Sequence, residues 1–299
     1  MTLTEFWHEN PKAAIAFSGG VDSAFLLYSA IQAGAQVKAY YVKTAFQPAF
    51  ELEDAQRLAA QLGVEIVILT MDILSVPHVA ENPRNRCYYC KAALFSAIIA
   101  AAKDDGFSLL LDGTNASDEA SDRPGMQALR ELSVRSPLRE CGFSKAEIRH
   151  LSKEAGLFTH DKPAYACLAT RIPTGDAITP ESLARTETAE DCLHNLGLRD
   201  FRVRTLEDTA RIQVTEPDLE TVLKNRETIV SHLKTLYSGV TLDLEVRPGI
   251  PKFESFWRTF SPAASAWTTH WLESRCPPLR TSATQRLTCT AGYARERQR

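Results

Sequence analysis

Along the first 160 residues the apolar positions switch repeatedly between two periods. Short unbroken apolar runs read as buried strands, and runs with apolar residues three and four apart read as amphipathic helices. The pattern predicts strands at Ala13–Phe17, Val37–Val42, Val64–Leu69 and Leu109–Leu111. Between them it predicts helices at Asp22–Ala33, stopped by Gly34, at Glu51–Gln61, closed by Gly63, and at Tyr88–Lys103. Another helix opens at Ser144 as N-cap, with Glu147 three residues on completing a capping box, and ends near Gly156. Strand–helix alternation with short connections implies an α/β fold: a doubly wound parallel sheet, covered on both faces, that binds ligands at the carboxyl ends of its strands.

A break rich in Pro, Thr and Gly follows at Lys162–Asp176. Beyond it the pattern predicts a helix over Thr179–Leu196, with Thr179 as N-cap and Pro180 at the first helical position. Strands at Phe201–Thr205, Ala210–Thr215 and Val240–Glu245 and a helix over Asp218–Leu236 complete a small α+β unit. The expected organisation is a nucleotide-binding domain over 1–160, a connector over 161–177, a small α+β domain over 178–245 for substrate or oligomer contacts, and a tail over 246–299.

Charge sets the tail apart. From Val246 to Arg299 there are nine Lys and Arg against three Glu, a balance of +6, while the remaining 245 residues carry −9. The tail holds Trp257, Trp267 and Trp271, and no helical or strand period survives across it. A basic arm that recruits RNA is one reading; an atypical, poorly ordered terminus is the one adopted. No apolar run approaches the ~18 residues that would cross a bilayer. The opening residues lack the basic-then-apolar layout of a secretory signal, and seven unevenly placed cysteines do not form a disulfide framework. A cytoplasmic protein with no membrane partner is expected.

The strongest motif is Ser18-Gly19-Gly20-Val21-Asp22-Ser23, directly after the first strand and directly before a helix. Two glycines let the backbone turn sharply and approach a polyanion, and the helix N-terminus behind them presents unpaired N–H groups to phosphate. Ser18 and Ser23 add hydroxyl donors. Asp22 would repel bare phosphate, so it is expected to act through Mg²⁺ or a positioned hydroxyl. Neither a Walker sequence nor G-x-G-x-x-G is present. The loop resembles that of the PP-loop ATP pyrophosphatases, with the adenine nucleotide alpha hydrolase-like fold, over about Pro11–Gly156. Members of that superfamily cleave ATP between its α- and β-phosphates and adenylate an oxygen. Leu111-Asp112-Gly113-Thr114-Asn115, followed by Asp118, looks like a second nucleotide element, which adds Gly113 and Thr114 to the expected ATP site.

Cys87-Tyr88-Tyr89-Cys90 begins a helix, and Cys167 lies in the connector. With no second C-x-x-C, structural zinc is disfavoured. Spacing alone leaves a reactive pair with an unrelated buried cysteine ahead of a three-cysteine iron–sulfur site. Cys141, Cys192, Cys276 and Cys289 have no partners at informative spacing, and Cys192 fits the apolar face of its helix. His78, His150, His160 and His194 are scattered and receive no role. Arg171 closely follows Cys167, while Arg202 and Arg204 share one strand face. A solvated basic face is the ordinary reading of such a pair. Arg171 beside Cys167 turns it toward bidentate phosphate recognition and toward a lowered thiol pKa.

Cys167-Leu168-Ala169-Thr170-Arg171-Ile172-Pro173-Thr174-Gly175, Thr188-Ala189-Glu190, Phe201-Arg202-Val203-Arg204 and Ala210-Arg211-Ile212 narrow the resemblance to the LarE family. These are the pyridinium-3,5-bisthiocarboxylic acid mononucleotide synthases of nickel-pincer cofactor synthesis, and the resemblance runs from about Ala13 to Glu245. It implies ATP-dependent adenylation of a pyridinium mononucleotide carboxylate, then sulfur transfer at Cys167. Arg171, Arg202 and Arg204 are then phosphate or substrate ligands, with Glu190 in the same site. Some members sacrifice the cysteine. Others hold a [4Fe-4S] cluster on cysteines matching Cys87, Cys90 and Cys167, which is the route expected here. A homo-oligomer is expected as well. A tRNA thiolase is the alternative enzyme, disfavoured because the chain is acidic outside its tail. A non-catalytic nucleotide-binding or iron–sulfur scaffold is the third.

Overall fold

The computed structural model describes residues 1–118 and 124–249. Four parallel strands form the larger sheet: β1 (Lys12–Ala16), β2 (Gln36–Lys43), β3 (Ile66–Thr70) and β4 (Leu110–Leu111), in the order β3-β2-β1-β4. Ala13 and Ile15 face one side of β1 and Ala14 the other, so one five-residue strand feeds two cores. The first core packs α1 (Leu3–Glu9), α2 (Val21–Gln32) and α3 (Ala49–Leu62) against the sheet, with Phe6, Phe25 and Leu58 buried. The second is closed by α4 (Arg86–Asp104), through Ile98 and Ala102 against Ala14 and Tyr40. The order reverses between β1 and β4, and at such a switch point the carboxyl ends of the strands leave a crevice.

Three short helices follow: α5 (Pro124–Glu131), α6 (Pro137–Glu140) and α7 (Lys145–Glu154). Ser144 caps α7 in the predicted capping box with Glu147. After the connector, α8 (Pro180–Asn195) starts at Thr179 with Pro180 in its first turn. It packs on a second sheet of β5 (Phe201–Leu206), β6 (Thr209–Val214) and β7 (Gly239–Leu242), ordered β5-β6-β7. The β5–β6 pair is antiparallel and β6–β7 parallel. Phe201, Val203, Ile212 and Val214 fill the core under this sheet.

Several expectations are corrected. The single helix expected over Asp218–Leu236 is two, α9 (Leu219–Lys224) and α10 (Arg226–Leu233). Asn225 breaks it, sitting at φ −101° and ψ 15° with its Nδ2 donating to Thr221 O at 2.8 Å, the local competition that makes Asn a poor helix interior residue. Strand β7 stops at Leu242 rather than Glu245, because Asp243 turns its carboxylate to Gln213 and Arg211. Past Glu245 the chain still joins the small sheet, with Arg247 N donating to Val214 O at 2.8 Å. The rest of the expected tail, 250–299, lies outside the described residues, with its three tryptophans, Cys276 and Cys289. Among the described residues no helix is long and apolar enough to cross a membrane.

Candidate active site

The crevice at the switch point is walled on one side by the Ser18–Ser23 loop. Ser23 Oγ is its hub: it receives Ser18 N at 3.2 Å, lies 3.1 Å from Ser18 Oγ and donates to Gly20 O at 3.1 Å. Gly19 sits at φ +70°, where a Cβ would come within 3.0 Å of Ala55 Cβ on α3, so the turn needs glycine for both conformation and space. Gly113, just beyond β4, is packed harder still. A Cβ there would stand 2.7 Å from Ser23 N and 3.1 Å from Ser23 Cα. The first turn of α2 and the segment just after β4 are thus in backbone contact. Asp112 ties the second element down, accepting Thr114 Oγ1 at 2.5 Å and Ser136 Oγ at 2.6 Å.

Asp22, in the first turn of α2, is held by Lys145 Nζ at 2.5 Å and approached by Asn115 Nδ2 at 3.4 Å. Burial pushes its carboxyl above the ordinary range, and Lys145 opposes that shift. Lys145 comes from the first turn of α7, 123 residues away in sequence, and the sequence pattern gave it no role.

The opposite wall carries the thiols. Cys167 precedes a single helical turn, Leu168–Arg171, whose Leu168 N donates to Phe46 O at 2.9 Å. Cys90 and Cys167 pack against one apolar cluster with Phe46, Ile73 and Leu168. Burial therefore pushes the Cys90 thiol up to about 12 and the Cys167 thiol upward too. This corrects the expectation of a lowered Cys167 pKa. Arg86 and Arg171 do act in the expected direction, but desolvation in the apolar cluster outweighs them. Cys87 is exposed, with Arg86 Nη2 3.8 Å from its Sγ. Cys90 feels the charge of Cys87 and Cys167, and Cys167 that of Cys87, so the three share one neighbourhood. Among the described residues no three Cys, His, Asp or Glu side chains stand close enough together to hold a metal ion.

Arg171 is 1% exposed, its guanidinium taken up by protein partners. Its Nε and Nη2 grip Glu190 at 2.7 and 3.1 Å, and Nη1 donates to Ala166 O at 3.0 Å and Thr170 Oγ1 at 2.8 Å. Glu190 also accepts Tyr165 Oη at 2.5 Å and Val203 N at 2.9 Å. This network bolts the Cys167 turn to α8 and β5. Arg202 is buried against Phe201 O and Ala164 O. Arg204, partly exposed, donates to Gln213 Oε1 at 2.7 Å and Thr170 O at 2.8 Å. Burial and the neighbouring charges of Arg171 and Arg247 bring Arg202 down to about 10 and lower Arg204 as well. Glu190 and Asp200 partly offset this crowding of cations, Asp200 standing 3.7 Å from Arg202 and 3.3 Å from Arg247.

Both walls line one cleft of about 400 Å³, which contains Ser18, Asp22, Ser23, Gly113, Thr114, Tyr165 and Cys167 together. Glu51 lies in the same cleft, its carboxyl raised to about 7 by burial against the opposing charges of Lys162, Arg171 and Lys43. Sequence reading missed Glu51, Lys91, Lys145 and Tyr165. Of these, only Lys91, one residue after Cys90, had a local signal.

Residues 12–80 match the family model described as queuosine biosynthesis protein QueC. The chain is 37% identical over 249 residues to an uncharacterized protein of Synechocystis sp., covering 81% of this chain and 92% of that one. It is 32% identical over 246 residues to the pyridinium-3,5-bisthiocarboxylic acid mononucleotide synthase of Lactiplantibacillus plantarum, covering 81% and 89%. The tRNA-specific 2-thiouridylase of Thermotoga petrophila matches at 27% over 193 residues, about half of each chain (50% and 54%). A glycine loop at the switch point, a thiol lining the same cleft, and 32% identity over 81% of the chain lead to one assignment: the chain belongs to the LarE family and is an ATP-dependent sulfur-transferring enzyme on a PP-loop fold.

Proposed function

We propose that the enzyme adenylates a carboxylate of a pyridinium mononucleotide and converts it to a thiocarboxylate; the L. plantarum relative is named a pyridinium-3,5-bisthiocarboxylic acid mononucleotide synthase. The observation that carries this reading is the single cleft holding both the Ser18–Ser23 loop and Cys167. ATP lies along the loop, its phosphates met by backbone N–H groups of Gly19 to Ser23 and by Thr114. A substrate carboxylate oxygen attacks the α-phosphorus, the α–β bridging bond breaks, and pyrophosphate leaves. Asp22 is the loop's carboxylate for a Mg²⁺ ion, and an oxygen donor suits that ion; Lys145 is the group it must release. Bound there, Mg²⁺ would neutralise charge on the leaving pyrophosphate.

In the sacrificial route the Cys167 thiolate attacks the acyl carbon, the acyl C–O bond breaks, and AMP leaves carrying the former carboxylate oxygen. Loss of the Cα proton and cleavage of Cβ–Sγ then leaves a thiocarboxylate on the substrate and dehydroalanine in the chain, ~34 Da lighter, outside the usual oxidation ladder. We favour the second route, in which Cys87, Cys90 and Cys167 hold a [4Fe-4S] cluster and external sulfide is the sulfur source. The donor set suits it: three thiols share a neighbourhood beside a buried guanidinium with a bare N–H. Their side chains do not yet converge, and exposed Cys87 is the one with room to turn. The cluster, when bound, would offer an open iron to carry sulfide.

Arg204 and Arg202 supply positive charge for the mononucleotide phosphate, and Arg171 with Glu190 positions Cys167. ATP–pyrophosphate exchange tests the reading. Exchange stimulated by the pyridinium mononucleotide and not by tRNA is expected; stimulation by tRNA alone would contradict it.

A further inference from the structure

Arg86 begins α4, one residue before Cys87, and is only 6% exposed. A guanidinium keeps its charge in a protein, so its donors need partners when it is buried. Among the described residues Nη2 reaches only Cys87 Sγ, at 3.8 Å, and the guanidinium carbon lies 5.6 Å from the Phe46 ring centre. Nη1 is buried with no hydrogen-bond partner. No carboxylate pairs with Arg86 among the described residues. The ring contact is at the outer limit of cation–π range and engages the face of the guanidinium, which leaves the in-plane Nη1–H groups bare. Among the described residues a permanent cation with an unused donor thus stands against the Cys87 thiol and the Phe46 ring.

The chemistry of the proposed site accounts for this. Three thiolates outweigh the charge of an oxidised four-iron cluster, so the assembly is an anion, and an external sulfide adds to it. Taking an anion into an apolar cluster of Phe46, Ile73 and Leu168 requires a counter-charge. Hydrogen bonds to the sulfurs and nearby charge are also what set a cluster's potential.

We propose that Arg86 is the positioning residue of the sulfur site, its free Nη1–H group and fixed charge reserved for the negative charge on the cluster's sulfur ligands. The inference rests on the cluster reading above. Anaerobic reconstitution of the full chain with ferrous iron and sulfide tests it in wild type, R86Q and R86K. The readouts are iron per chain, the reduction potential of the bound cluster, and the melting temperature. R86Q is expected to take up less iron, and the cluster it does hold should titrate at a more negative potential, because loss of a neighbouring cation favours the oxidised state. R86K keeps the charge and should recover iron content with a potential close to wild type. Wild-type iron and potential in R86Q would overturn the role of Arg86 while leaving the cluster in place. A wild type that takes up no iron would overturn the cluster reading and this inference together. If R86Q does not fold, R86K decides: iron loading at the wild-type potential upholds the proposal. Its failure to load, or failure of both variants to fold, reduces Arg86 to a structural residue.

Discussion

The two walls of the cleft are built on opposite plans. On the nucleotide wall the polar groups satisfy one another before any ligand arrives: Ser23 Oγ braces Ser18 and Gly20, and Thr114 and Ser136 hold Asp112. Its glycines are fixed by contact, with no room for a Cβ at Gly113. The sulfur wall is left unfinished. Cys90 and Cys167 are desolvated, and Arg86 keeps a buried N–H with no partner. A preorganised wall suits a step in which charge develops on bound phosphates, because donors already in place need no rearrangement. An unfinished wall suits a site completed by something that enters.

Substitutions can break the first wall outright. Gly113→Ala places a methyl against Ser23 N and has no flexible neighbour to displace. Adenylation should fall by roughly 100-fold or more, since small displacements of a reacting geometry cost that much, and overpacking should lower stability by about 1–3 kcal/mol. Pyrophosphate exchange and denaturant melts check both. Asp22→Ala should reduce exchange strongly with less effect on the melt, because its side chain contacts only Lys145 and Asn115.

The next effect belongs to the border between the walls. Glu51 is held protonated to about 7 against an ordinary 4.5. The folded state therefore binds more protons than the unfolded state between those values, and stability should decline as pH rises from about 4.5 through 7. Burial is strong there, so the decline should reach roughly 2–3 kcal/mol. Glu51→Gln should flatten it. Denaturant midpoints at pH 5 and 8 give the comparison, and an equal slope in both proteins would contradict the assignment.

The smallest effect sharpens the view of the second domain. Arg204→Ala should raise the mononucleotide KM by about tenfold, the loss of one charge-assisted hydrogen bond, and leave the ATP KM nearly unchanged. Arg202, buried on backbone carbonyls, should cost stability more than KM. The two lie on the same face of β5, so the double variant need not show the sum.

The same contrast governs what the sequence revealed. The Ser18–Ser23 loop is contiguous, follows a strand and opens a helix, so its strand–turn–helix form could be read in one dimension. So could the Thr179 and Ser144 caps. Helix α1 was passed over although Thr2 and Glu5 form a capping box, because seven residues are too few to show a period. Lys145 reaches Asp22 across 123 residues, and Arg171 finds Glu190 across 19. Nothing local announces either pairing. The sign of the Cys167 shift was misread for a related reason: a neighbouring arginine is visible in the sequence, but the depth of the apolar cluster around the thiol is not.

The central claim is that the loop and Cys167 act in turn on one substrate. Incubation with ATP, Mg²⁺, sulfide and the pyridinium dicarboxylate mononucleotide, followed by mass analysis of the small-molecule products, tests it in wild type and Cys167→Ala. Wild type should yield the thiocarboxylate with AMP and pyrophosphate, and Cys167→Ala should retain mononucleotide-stimulated pyrophosphate exchange while forming no thiocarboxylate. Thiocarboxylate formed by Cys167→Ala at the wild-type rate would contradict the account.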